Sequence, residues 1–114
     1  MTDDRAYLLH IRDCADRIVE YTRDGRNTFA NDRKTQDAVM RNLEVIGEAV
    51  KGLSDSLKAA HPAIPWKRIA GMRDVLIHHY FGVNLDTVWE VVENHLPTLR
   101  EAVDALLRPE EETT

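Results

Sequence analysis

Val39, Leu43, Ile46, Val50 and Leu53 recur at alternating four- and three-residue steps. Only a helix gathers such positions onto one stripe, because about 3.6 residues complete a turn. A strand would scatter them over both of its faces. This heptad-like seam, within a predicted helix over 32–53, must be covered by other apolar surface. The chain is thereby committed to helix-on-helix packing.

The other segments follow the same period. Residues 3–23 form a first predicted helix, capped by Thr2, with Asp3 and Asp4 at its positive end. Leu8, Ile11, Ala15, Ile18 and Thr22 make its apolar stripe. Tyr7, Cys14 and Tyr21 make a second stripe beside it, giving a broad buried face. Asp24-Gly25 ends the helix, and RNTFANDR is a connector with room for one helical turn. Gly52 and Ser54-Asp55 close the second helix, and a short helix is expected over 54–60. Pro62 and Pro65 punctuate the loop before a helix over 65–80, with Pro65 in its first turn and Gly82 past its end. Asn84 caps a last helix running to Leu107, whose seam is Leu85, Val88, Val92, Leu99, Val103 and Leu106. Pro97 must kink or split it, since proline removes a donor and crowds the preceding turn.

Strand signals are weak, so the expected fold is all-α, an up-and-down bundle of four to five helices. Its single domain covers 1–108, with a flexible tail over 109–114. The apolar surface of the first two helices exceeds what such a bundle needs, which points to a homodimer. The 114 residues and 43% hydrophobic content suit one soluble core. No apolar run approaches the ~18 residues of a membrane span, and the N-terminus lacks a signal-peptide pattern, so a cytoplasmic protein is expected. The lone cysteine excludes an internal disulfide, and no Cys/His spacing matches a zinc site. Net charge of −5 argues against broad electrostatic binding to nucleic acid, while leaving room for a small basic site.

The chemistry concentrates in RDVLIHHY, residues 73–80. With Arg73 at zero on an ideal wheel, Trp66, Ile69, Leu76, Ile77 and Tyr80 lie within about 60°. Arg73 thus sits inside an apolar seam, where a guanidinium must pair, line a cavity or snorkel outward. His78 lies about 140° away and shares a face with Asp74, four residues earlier. The carboxylate would orient the imidazole and favour its charged form. An Arg, a His and an acid suit phosphodiester cleavage: His exchanges protons near neutral pH, and Arg clamps the phosphate. RNA brings its own 2′-hydroxyl nucleophile, so neither metal nor cofactor is called for. Within one chain Arg73 and His78 point apart. They converge only if the helix unwinds near Gly82 or if two copies pool them across a dimer axis.

Structural readings stand beside these. Glu44 and Glu48 share one face of the second helix, opposite its seam. If the motif helix passes close to the mid-helix Gly47, an Arg73–Glu48 pair would account for Arg73 without catalysis. Tyr80 also reads as a core tyrosine, His79 as a surface residue, and His95 as a satisfied buried histidine. His10 and His61 read as surface or loop residues, Trp66 and Trp89 as core anchors, and Cys14 as inert. A metal-dependent helical enzyme fits poorly, because Glu90/Glu93 and Glu44/Glu48 lack a matching histidine set.

The run R-x-x-x-x-H-x-Y, with Arg73, His78 and Tyr80 at its fixed positions, is flanked in order by IGEA, IPW, AGMRD and YFGV. With that context, residues 42–99 and nearly the whole chain resemble the HepT-like branch of the HEPN superfamily. The resemblance implies a homodimer whose motif helices meet at a cleft, and a metal-independent endoribonuclease toxin. Arg73 and His78 match the catalytic pair, and Asp74 matches a supporting polar position. Tyr80 matches the tyrosine that an MntA-like nucleotidyltransferase antitoxin modifies with AMP. The implied partners are a second copy, that antitoxin and RNA, with no membrane. The alternative is a non-catalytic helical dimer serving as scaffold or substrate for the nucleotidyltransferase.

Overall fold

A computed structural model describes residues 3–78 and 84–112; for Arg73, 75–78 and 109–112 it describes the backbone alone. The elements are α1 (Asp4–Tyr21), α2 (Arg26–Asn31), α3 (Arg33–Gly52), α4 (Asp55–Ala60), α5 (Trp66–His78) and α6 (Leu85–Glu90). A π-helical turn (Val91–His95) and α7 (Leu96–Glu112) follow. Among the described residues there is no strand. The chain is all-α, with more helical pieces than the periodicity predicts, because the connector folds as α2 and the last segment is divided.

Short polar side chains start most of these helices. Asp3, Asp32, Ser54 and Asn84 each accept a backbone N–H from the first turn of α1, α3, α4 and α6, satisfying a donor that has no partner inside the helix. The cap of α1 is therefore Asp3, not Thr2, which lies outside the described residues. Bonds from Thr35 and Lys34 hold the Asp32 carboxyl below its usual range. Gly25 takes φ 94°, a left-handed conformation that glycine adopts without steric cost, and there the chain turns from α1 into α2.

The α3 seam is buried along its whole length: Val39, Leu43, Ile46, Val50 and Leu53. α1 contributes Leu8, Ile11, Cys14, Ala15 and Ile18 to the same core, and α1 packs on α3 and α7 while α3 packs on α5. The α1 pairings are antiparallel. Asp4 meets Ser54 and Tyr7 lies over Gly52 on the α3 side. On the α7 side Arg12 stands 4.0 Å from Asp104, and Asp16 accepts from Arg100 at 2.7 Å. The second α1 stripe is only partly buried. Cys14 is enclosed, but Tyr7 and Tyr21 remain 39% and 40% exposed. Two neighbours, α3 and α7, already cover the central arc of α1, so the flanking tyrosines are left at its edge.

Pro97 divides the last helical segment as its chemistry requires. Just before it, the Leu96 N–H bonds back to the Val91 carbonyl, five residues earlier, so the backbone widens by one residue ahead of the proline. Val88, Val92, Leu96, Leu99, Val103 and Leu107 are buried along this path. Leu85 and Leu106, expected in the seam, are partly buried and pack against the core from its margin. α7 continues through Pro109 to Glu112, past the expected end at Leu107. Phe29 of α2 and Trp89 of α6 pack with ring centroids 5.4 Å apart, joining the start of the last segment to the core.

One hydrogen-bonded clasp carries a testable share of stability. The half-buried Asp4 carboxylate accepts the Ser54 backbone N–H at 2.8 Å and its hydroxyl at 2.6 Å, while that hydroxyl oxygen caps α4 through Leu57 N–H. Asp4→Ala is expected to lower unfolding free energy by about 1.5 kcal/mol, the lower range for bonds to a charged group. Urea denaturation should show the loss as a fall in midpoint at unchanged slope.

Candidate functional site

The motif helix is held at its start by tryptophan. The Trp66 ring is buried, and its indole N–H donates to the carbonyls of Lys58 and His61 at 3.2 and 3.0 Å. These carbonyls stand at the end of α4 and already accept from the backbone N–H groups of His61 and Ile64, so the indole adds a further bond to each and pins α5 against α4. Pro65 stands immediately before α5 and its carbonyl accepts from Ile69 N–H, as expected for a proline at a helix start. Ile69, Ala70 and Met72 are partly buried against the core. Trp66 is buried and Ile69 partly buried, so the arc of α5 that they share is turned to the protein.

Arg73 and His78 both belong to α5, and His78 is its last residue. Their side chains lie outside what is described, as does the expected Arg73–Glu48 pair. Tyr80 and His79 fall outside the described residues altogether. Asp74 is described, half exposed, and Lys51 of α3 donates to both of its carboxylate oxygens at 3.1 and 3.3 Å. Glu48 is exposed on α3 and Glu44 is half-buried, with Arg41 3.4 Å away. Gly47 is buried in α3, the helix on which α5 packs.

Lys51 is the charged neighbour that sequence reasoning passed over. The signal was present: on an ideal α3 wheel Lys51 lies within about 60° of Glu44 and Glu48. What the sequence lacked was the α3–α5 pairing that brings this face to Asp74.

His95 also departs from expectation. It is exposed, not buried. Val92 and Leu96, four apart, take the inward positions through the π-helical turn, which leaves His95 outward. There it lines a cavity of about 670 Å³ between α3, α5 and the last helical segment. Its walls include Leu43, Ile46, Ile69, Met72, Val91 and Leu99, and Arg68 and Glu90 are its formally charged lining residues. Cys14 sits away from this region among core residues, and burial raises its thiol above the usual range, in keeping with an inert cysteine. No helix among the described residues is long and apolar enough to cross a membrane.

An all-α domain that carries an Arg-x-x-x-x-His motif on a core-packed helix places the chain in a class of small helical proteins. The HepT-like family, described as ribonuclease HepT-like, matches residues 11–106, and the chain belongs to it. It is 44% identical over 101 residues to a Thermococcus cleftensis protein named "Probable ribonuclease HepT", covering 88% of this chain and 92% of that one. It is 42% identical over 107 residues to a Methanocaldococcus jannaschii protein named as an unproven RNase, covering 93% and 88% of the two chains. A more distant relative, the "mRNA nuclease HepT" of Shewanella oneidensis, is 26% identical over 120 residues, covering 84% and 90%. No solved structure matches the chain.

Proposed function

We propose that this chain is the endoribonuclease toxin of a two-component system, cutting RNA without a metal ion at a cleft between two copies. The observation that carries the reading is the complete R-x-x-x-x-H-x-Y run in the sequence of a chain in the HepT-like family, with Arg73 and His78 both on α5. Arg73 binds the scissile phosphate and stabilises the charge that builds on it. His78 takes the 2′-hydroxyl proton and returns a proton to the departing 5′-oxygen. The 2′-oxygen forms its bond to phosphorus as the phosphorus–5′-oxygen bond breaks, leaving a cyclic phosphate and a free 5′-hydroxyl. Asp74 supports the site from the position after Arg73.

The second copy fits the apolar cavity beside the motif helix. Arg68 and Glu90 carry opposite charge on different elements. A twofold axis can therefore set each against the other's counterpart, because a symmetric interface uses the same patch twice.

The antitoxin of this reading is an MntA-like nucleotidyltransferase that adds AMP to Tyr80. In the sequence Tyr80 follows His78 by two residues, so AMP added there would bring bulk and negative charge to the motif, and its phosphate would compete for the guanidinium. Coexpression with the nucleotidyltransferase is expected to raise the intact mass by one or more AMP units. Tyr80→Phe should remove that gain. An inhibited complex containing unmodified Tyr80 would refute this mode of control. The ribonuclease reading itself is tested with purified chain and labelled RNA in excess chelator, where cleavage with cyclic phosphate ends is expected.

A further inference from the structure

Asp74 poses an electrostatic problem for the proposed site. It adjoins Arg73 in sequence, and a carboxylate beside a phosphate clamp repels the anion that the clamp should bind. The chain as a whole is acidic, at −5, and Glu48 stands on the neighbouring α3 face. Lys51 answers the charge of Asp74 directly. Its ammonium bridges both carboxylate oxygens, at 3.1 and 3.3 Å. At 43% and 49% exposed, the pair lies at the surface, where an ion pair adds little to stability. A cation in such a position matters more for the local field than for the fold.

We infer that Lys51 is a positioning residue for RNA. It reaches from α3 to α5, fixes the Asp74 carboxylate and cancels its charge, so that the guanidinium of Arg73 is available to a phosphate. This inference rests on the ribonuclease reading and adds a residue to it. Lys51 acts through Asp74 and does not itself touch the substrate.

The test uses the full chain and one short RNA in two forms, cleavable and with a 2′-O-methyl block at the scissile position. Lys51→Ala is expected to raise KM for the first and Kd for the second by roughly tenfold, with a smaller change in kcat. Lys51→Arg should restore both, since it keeps the charge. Thermal melts of the variants should stay close to wild type. In an Asp74→Asn background, adding Lys51→Ala should have little further effect, as the charge to be cancelled is gone.

Equal Kd for wild type and Lys51→Ala overturns the inference, whether or not the RNA is cut. An undiminished Lys51→Ala effect in the Asp74→Asn background also overturns it, because Lys51 would then meet RNA directly. A wild type whose binding of the blocked RNA is weakened by Lys51→Ala, only while Asp74 is present, yet which never cleaves the other form refutes the ribonuclease reading alone.

Discussion

Alanine at His78 is expected to slow RNA cleavage by the purified chain by roughly 10²–10⁴-fold, the span a positioned acid–base group supplies. Growth arrest on expression should vanish with it. Arg73→Ala is expected to cost roughly 10²–10³-fold by removing the clamp on the charged transition state. Arg73→Lys should recover only part of the loss, because an ammonium keeps the charge but lacks the planar fork. The fold should tolerate the His78 change. His78 is the terminal residue of α5, and the helix is held by Trp66, with Ile69 and Met72 partly buried along it. Arg73→Ala also separates the catalytic role from the structural one. If Arg73 serves mainly to pair with Glu48, Arg73→Ala and Glu48→Ala should lower the melting temperature alike and be non-additive together. A catalytic Arg73 loses activity with little change in melting. Wild type and both alanine variants that are equally harmless in cells, with purified wild type leaving RNA intact, would end the enzyme reading and favour the binding-module alternative.

The elements decided by local chemistry were legible in the sequence. The α3 seam is buried from Val39 to Leu53, because a long regular stripe has one way to be covered. Asn84 and the Ser54 helix start needed only a short polar side chain before a helix. Pro97 forced a break, and the backbone met it with a π-helical turn whose form no pattern announces. The errors share another cause: they depend on which helices meet. Tyr7 and Tyr21 have the right period for burial but lie at the edge of the α1 interface. His95 sits near an apolar seam, yet the register after the turn puts Leu96 inward in its place. Within the candidate site, the motif and its helix were readable, whereas the Lys51–Asp74 bridge joins residues on different helices and waited on the α3–α5 packing.

Met72→Asp is expected to dissociate the proposed dimer and remove activity together. Met72 is partly buried and lines the apolar cavity beside the motif. In a single chain the carboxylate can hydrate at the cavity wall, so helical content should be retained, while the loss of a partly buried methionine should lower the melting temperature modestly. Closing a second copy over it would bury an unpaired charge, at a cost of about 3–5 kcal/mol. Each buried charge should therefore raise the dimer dissociation constant by roughly 10²–10⁴-fold, at about 1.4 kcal/mol per factor of ten, and a twofold interface buries one from each copy. Sedimentation velocity should show monomer at concentrations where wild type is dimeric, and cleavage should return only at high protein concentration. A shared site makes a sharper demand. Arg73→Ala and His78→Ala chains, each inactive alone, should complement when mixed and exchanged. If each site takes its Arg from one copy and its His from the other, the mixed dimer holds one intact site and one doubly defective site. With half the dimers mixed, about a quarter of wild-type activity should return. No recovery after demonstrated subunit exchange would mean that Arg73 and His78 act within one chain, and the second copy would lose its catalytic part.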